Sequence, residues 1–368
     1  MVALFILMLC AYLGSNVYIF IRGLQALQHF PPVVRWIFGG IFWISVFSMI
    51  LVFALRNSKL SATAWAHLFF EYSTGWLVFT LYMTLFLLCF DGFRLFNHPF
   101  QHSFVVSLGL TLGVLSCGFY RYRHPVIRTL NIGIDKPMTG AKDTFRIVAI
   151  SDLHLGMGTA KGQLQQYIRM IQAQQPDLIL IGGDLIDNSI VPAQQRHMEQ
   201  ELSQLNAPSG IYMTPGNHEY ISGIADCMQY IARTPVRFLR DTVVTLPNGI
   251  QLVGRDDRTN HARQSLAQLI VGTNPDYPLI VLDHQPSELS QTVDAGADLL
   301  FCGHTHRGQV WPMTWLTDRL FELSHGYEQR GSTHLYVSSG LALWGPPFRI
   351  GSRSEMVVFN LFSTKHRP

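Results

Sequence analysis

Charged residues are scarce in this chain. Lys, Arg, Asp and Glu make up 14% of 368 residues against 48% hydrophobic types, and the mean hydropathy is positive, at +0.19. Such an average is unusual for a soluble protein and points to two unlike parts. Cysteine is equally sparse. Cys10, Cys89 and Cys117 fall in apolar runs, which leaves only Cys227 and Cys302 elsewhere. No pairing pattern emerges, so a disulfide framework is excluded and a reducing compartment fits. The net charge of +3 is too small, and too concentrated beside the apolar runs, to imply a nucleic-acid partner. There is no internal repeat and no low-complexity tract.

What is present divides near residue 121. Four apolar runs precede it, Val2 to Ile21, Trp36 to Leu55, Ala66 to Phe90 and Ser103 to Tyr120, each about long enough for a helix to cross a hydrocarbon core. The start "MVALFILMLC" lacks a basic n-region and runs on past a signal-peptide h-region, so the first run reads as a span. Glu71 lies near the beginning of the third run, in an interfacial position or, less simply, inside the bundle. Arg56, Lys59, Arg121, Arg123 and Arg128 outnumber Arg22, Arg35 and Arg94 in the alternate loops. The excess of basic residues places both termini and the second part of the chain in the cytoplasm, at a bacterial inner membrane.

The chain is therefore expected to divide into an N-terminal α-helical transmembrane bundle over 1–122, a connector over 123–143, an α/β domain over 144–362 and a tail over 363–368. After the polar stretch "NIGIDKPMTGAKD", short buried strands are predicted at "FRIVAIS", "PDLILIGG", "GIYMTPG", "IQLVGRD", "YPLIVLDH", "ADLLFCGH", "HLYVSSG" and "EMVVFN". Helices are predicted at "KGQLQQYIRMIQAQQ", at "SGIADCMQYIA" and after Gln285. This order suggests an α/β sandwich, two sheets flanked by helices.

Nearly every strand ends in a residue able to bind metal. Asp152 and His154 alternate as in an extended chain, as do His304 and His306. Asp184 follows two glycines that allow a tight path, while Asn217 offers an amide oxygen and His284 an imidazole. Strand carboxyl ends are where ligands bind in open α/β folds, so these segments are expected to converge. Nitrogen and oxygen donors without thiolate suit Mn, Fe, Zn, Co or Ni. Seven such side chains exceed what one open catalytic ion needs and fit two ions sharing a carboxylate, a recurring arrangement in phosphate ester cleavage.

The ordered series "SDLHLG", "GGDLID", "PGNHEY", "LDHQP" and "CGHTHRGQ" resembles the calcineurin-like metallophosphoesterase superfamily, within it the membrane-associated bacterial branch of YkuE-type and YaeI-type phosphoesterases. The resemblance covers roughly residues 144 to 360. It implies that Asp152, His154 and His306 hold one ion, that Asn217, His284 and His304 hold the other, and that Asp184 bridges them. It also implies that His218 contacts the phosphoryl oxygen or protonates the leaving group. Hydrolysis would then proceed by attack of a hydroxide bridging two divalent ions, Mn first among them. Some relatives cleave the pyrophosphate of UDP-diacylglucosamine, which makes a lipid-linked or nucleotide-lipid phosphoester a candidate substrate.

Neighbouring residues carry open alternatives. Asp187 either orients a ligand or starts a helix, and Glu219 either supports the site or is ordinary surface. Arg307 reaches a phosphate or makes a structural salt bridge. Cys302 fills core, and Gly303 and Gly308 are expected to give turning room to the two histidines. The segments "YISGIADCMQY", "RDDRTNHAR" and "WPMTWLTDRLFELSHGYEQRG" are expected to shape a pocket. The last of them covers the cleft, lies on the membrane, or packs on its own domain. Two other functions compete, a membrane-tethered scaffold with weak or no catalysis and a transporter or channel formed by the spans. The ligand set has no gaps, which argues against the first, and the scarcity of ionisable residues in the spans argues against the second.

Overall fold

The structure, a computed structural model, describes residues 2–94, 96, 100–139 and 143–365. Residues 140–142 of the expected connector and 366–368 of the expected tail lie outside the described residues. Four long helices come first: α1 (Val2–Ala26), α2 (Pro32–Leu55), α3 (Ala64–Arg94) and α4 (Ser103–Arg123). All four are long and apolar enough to cross a membrane. Aromatic side chains knit the bundle, with Phe42 packing on Trp76 at 5.4 Å between ring centres. Some of its interior polar groups bond one another, while the hydroxyls of Ser73, Thr84 and Ser107 are buried without a partner. Trp76 Nε1 and Thr80 Oγ1 donate to Asn16 Oδ1 at 3.1 and 3.3 Å, and Arg22 pairs with Asp91 at 2.5 Å.

Among the described residues twelve strands follow: β1 (Val126–Ile134), β2 (Phe145–Ile150), β3 (Leu178–Ile181), β4 (Ile211–Met213), β5 (Val236–Phe238), β6 (Thr242–Thr245), β7 (Gln251–Gly254), β8 (Leu279–Leu282), β9 (Leu299–Cys302), β10 (Gly326–Arg330), β11 (Thr333–Val337) and β12 (Glu355–Ser363). They form two six-stranded sheets in the orders β1-β12-β2-β3-β4-β5 and β10-β11-β9-β8-β7-β6. Side chains alternate across each strand, so Ile147 and Ala149 of β2 meet Ile280 and Leu282 of β8 between the sheets. Val148 and Ile150 face outward onto Leu164, Ile168 and Ile171 of the helix Lys161–Gln172. β2, β3 and β4 run parallel, as do β7, β8 and β9, so their carboxyl ends gather at one edge of the sandwich.

Several elements differ from the sequence expectation. Residues 126–134, assigned to the connector, form β1, which pairs in parallel with β12 from the far end of the chain. The short strands β5, β6 and β10 are also additional. The segment after the last histidine pair folds as a helix, Met313–Leu320, followed by β10.

The bundle and the α/β domain are bonded directly. Arg196 donates to the carbonyls of Ala62 (3.0 Å) and Ser61 (3.3 Å), Tyr82 OH donates to the carbonyl of Trp311 at 2.6 Å, and Arg349 N donates to the carbonyl of Gly118 at 3.0 Å. His67 lies between Glu71 at 3.7 Å and the carbonyl of Met157 at 2.8 Å, which puts Glu71 at this joint. The domain packs on the end of α2, the end of α4 and α3 from its beginning as far as Tyr82, so the end of α2, the beginning of α3 and the end of α4 share one side.

Candidate metal centre

Each expected site residue stands just beyond a strand. Asp152 and His154 follow β2, Asp184 follows β3, Asn217 follows β4, His284 follows β8, and His304 and His306 follow β9. The structure brings all seven together. The expected alternation of an extended chain does not produce this. Asp152, His154, Asp184, His304 and His306 have φ of +58°, +46°, +53°, +74° and +47°, in the left-handed region. Such backbone costs about 1–3 kcal/mol per non-glycine residue and persists where the surroundings fix it. Here the loop after β2 is bonded to the loop after β3, through Asp152 N to the carbonyl of Gly183 (3.1 Å) and His154 N to that of Asp184 (3.0 Å).

Gly308, with φ +63°, gives the turning room expected of it. Gly303 has no positive φ, but a Cβ there would collide with the Asp152 carboxylate, so its role is close approach. Gly183 combines both requirements, with φ +84° and a would-be Cβ 2.6 Å from His284 Nδ1.

Two of the three groups of close donors are made of expected ligands alone. Asp152, His154 and His306 form one, in which His154 Nε2 and His306 Nε2 face each other at 3.1 Å and His306 Nε2 lies 3.4 Å from Asp152 Oδ1. Asp184, His284 and His304 form the other, with Asn217 Oδ1 3.0 Å from His304 Nδ1 and 3.2 Å from His284 Nε2. His284 Nδ1 donates to the carbonyl of Gly182 at 2.8 Å. That bond turns Nε2 toward Asp184 Oδ2, 3.1 Å away, and although burial opposes the charged ring, Asp184 outweighs it and holds the pKa of His284 well above its ordinary value. Two imidazole nitrogens facing each other beside a carboxylate oxygen are a contact that a cation resolves, and at Asp184 a divalent ion would take the place of the His284 proton. The donor set thus fits two divalent ions.

Electrostatics agree in direction. Burial and the charge of His284 push His304 down to about 4, and burial and His154 hold His306 well below its ordinary value, which keeps both lone pairs free. Burial opposes ionisation of Asp184, but His284 outweighs it and holds the carboxyl below its usual range. Asp152 is raised, chiefly by burial.

The surrounding residues resolve the alternatives. Asp187 starts no helix. Its Oδ1 lies 3.5 Å from His154 Nδ1 and 3.1 Å from His218 Nδ1, so one carboxylate orients both rings and their far nitrogens point away from it. Burial disfavours the charged form of His218, yet Asp187 and Asp184 lift it to about 9. Glu219 is buried, not surface, and accepts from the backbone N–H groups of Gly216 (2.7 Å), Ile186 (2.9 Å) and Asp184 (3.0 Å). Arg307 lies 3.7 Å from Asp318 and does not line the cleft, which favours the salt bridge. Cys302 is in the core, as expected.

Two residues escaped the sequence reading. Arg349 is fully buried and donates to the carbonyls of His306 (2.9 Å), Ser339 (2.5 Å), Gly340 (3.0 Å) and Ala342 (2.9 Å), pinning the loop that carries His306. Nothing local in "PPFRIG" signals this. Trp344 lines a cleft of about 400 Å³ over the donors, together with Asp184, Asn217, His218, His304 and His306. Of the three segments expected to shape a pocket, "WPMTWLTDRLFELSHGYEQRG" lines this cleft through Met313, Thr317 and Phe321. "RDDRTNHAR" lines a separate polar pocket with Arg255 and Arg263.

Residues 145–308 match the family described as calcineurin-like phosphoesterase. An uncharacterized metallophosphoesterase of Campylobacter jejuni is 29% identical over 95% of this chain and 96% of its own length. The uncharacterized metallophosphoesterase YkuE of Bacillus subtilis is 31% identical over 67% of this chain and 90% of its own. A transmembrane protein with metallophosphoesterase domain from Bos taurus is 30% identical over 63% of this chain and 56% of its own.

Proposed function

As a member of the calcineurin-like phosphoesterase family, the chain is a metal-dependent phosphoester hydrolase, and we propose that it works at a membrane surface with two ions. One ion belongs with Asp152, His154 and His306, the other with Asn217, His284 and His304, and Asp184 is shared. The observation that carries this reading is the two donor groups within reach of Asp184 Oδ2, which lies 3.1 Å from His284 Nε2 and 3.9 Å from His154 Nε2, with His154 Nε2 and His306 Nε2 facing each other at 3.1 Å. Among the ions such donors accept, Mn is the first to test. When bound, the two ions supply neutralisation of phosphoryl charge and lower the pKa of an attacking water.

The chain's own residues do the rest. Asp187 keeps His218 protonated near neutral pH and turns its other nitrogen to the cleft, so His218 is placed to stabilise a phosphoryl oxygen or to protonate the leaving oxygen. Glu219 gathers three backbone N–H groups and thereby fixes the Asp184 and Asn217 loops relative to one another. Arg349 does the same for the His306 loop.

For the substrate we propose a phosphoester or pyrophosphate presented by the bilayer, of the lipid-linked or nucleotide-lipid kind exemplified by UDP-diacylglucosamine. The direct bonding of the site-bearing domain to the apolar helices supports it. We also propose that the domain is cytoplasmic, at a bacterial inner membrane. Arg56, Lys59, Arg121 and Arg123 lie on its side, whereas Arg22 and Arg94 on the other side both lie against Asp91.

The test uses full-length protein in detergent. Transition metal is quantified, and hydrolysis of an aryl phosphodiester is measured for the native chain, Asp184→Asn and His306→Ala. About two ions per chain and turnover abolished by both substitutions is the expected result. Less than one ion per chain with no turnover after Mn or Fe is supplied would overturn the reading.

A further inference from the structure

A second cleft, of about 270 Å³, lies between the bundle and the catalytic domain. Its bundle wall is Met49, Val52 and Phe53 at the end of α2 with Phe70 and Thr74 at the beginning of α3, and its domain wall includes Met157 and Ile221. This cleft ends at Asp187 and His218. It shares His218 and Trp344 with the metal cleft, and the two rings stand side by side with centres 6.4 Å apart. At the other end Phe53 is 60% exposed, on a helix whose neighbouring Ile50 and Leu51 are exposed too. On a span, such exposure faces lipid. Arg56 is the one arginine or lysine among the lining residues. An apolar passage therefore runs from the lipid-facing side of α2 to the histidine that faces the scissile group.

We infer that this cleft holds the hydrocarbon chain of an amphiphilic phosphoester whose phosphoryl group lies in the metal cleft. The inference rests on the phosphoesterase reading above and adds a site to it. Membrane helices form one wall, so an occupant enters sideways from the bilayer and keeps its apolar part out of water throughout. Hydrocarbon leaving a bilayer gains little from a second apolar environment. The cleft's effect is therefore positional: a chain lying along Val52 and Phe70 brings its headgroup past His218, and Arg56 sits where the headgroup of an anionic amphiphile crosses the interface.

The test is photolabelling of the full-length protein in phosphatidylcholine nanodiscs. The probe is a twelve-carbon alkyl phosphonate with a diazirine at the chain end, and the control is the matching alcohol without phosphonate. Adducts on Met49, Phe53, Phe70 or Met157 are expected, at least fivefold stronger with the phosphonate. Ile221→Trp, at an exposed rim position, and Val52→Trp, deeper in the cleft, are each expected to cut them at least fivefold. Adducts confined to lipid-facing side chains such as Ile44 and Ile50, or labelling that neither substitution changes, would overturn the inference. Equal labelling by the alcohol would overturn it as well, because it marks a structural lipid. Hydrolysis of methyl p-nitrophenyl phosphate is measured in parallel. Its absence with labelling intact sinks the phosphoesterase reading alone, and the reverse sinks only the cleft.

Discussion

In the α/β domain, seven polar side chains arrive from the ends of five strands and crowd one edge of the sandwich. In the bundle, polar groups are few and scattered: Asn16 bonds Trp76 and Thr80, Asp91 pairs with Arg22, and the hydroxyls of Ser73, Thr84 and Ser107 are buried without a partner. One region gathers buried carboxylates and imidazoles at a single point, and the other disperses single polar groups through apolar packing. The domain thus carries chemistry, while the bundle carries place. On the inference above, the bundle contributes through the apolar face it sets against Asp187 and His218.

Breaking the domain's side at its centre should have the largest effect. Asp184→Asn removes the carboxylate proposed to be shared by both ions, and kcat/KM for an aryl phosphodiester is expected to fall on the order of 10³-fold or more. His218→Asn keeps the donors intact and should lower kcat by about 10²-fold, read in steady-state kinetics. Glu219→Gln leaves every donor in place but loosens the loops that carry Asp184 and Asn217. Metal affinity should weaken by about 10–100-fold, measured by competition with a chromophoric chelator. On the bundle's side, Arg196→Met removes bonds to Ser61 and Ala62 and should cost about 1–2 kcal/mol of stability, seen as a Tm lower by a few degrees, without loss of aryl phosphodiester turnover. A comparable loss of turnover in Arg196→Met and His218→Asn would dissolve the division between the two regions.

The smallest effect expected is on acid stability. Burial opposes ionisation of Glu355, but His325, Ser339 N–H and Tyr336 outweigh it and hold its carboxyl below the ordinary 4.5. The folded value is thus below the unfolded one, and the stabilisation is full above about pH 4.5 and is lost as pH falls through the folded value. The Tm advantage of the native chain over Glu355→Gln should therefore shrink between about pH 5 and pH 3. A constant difference across that window would show that the charge is not what matters.

The donors were legible because each belongs to a short motif attached to its own strand. "SDLHLG" and "CGHTHRGQ" carry both the apolar run that predicts the strand and the residues that follow it. What escaped depends on distant partners. β1 is a strand because β12 lies beside it, and Arg349 is structural because four carbonyls from two loops surround it. The left-handed backbone at Asp152, His154, Asp184, His304 and His306 was hidden as well, since no residue type there announces it and only the packed loops impose it. The second cleft was out of reach for the same reason, because its walls come from α2, α3 and three separate loops.

The bonds from Arg196 to Ser61 and Ala62, from Tyr82 to Trp311 and from Arg349 to Gly118 tie the domain at once to the turn before α3, to the middle of α3 and to the last turns of α4. If the helices span a bilayer, a reaction centre moored in this way does not roam the surrounding solution. A bilayer-borne substrate of the proposed kind would meet it by diffusion in a plane, where crowding per unit area replaces bulk molarity, so its turnover should follow its surface fraction at constant total amount.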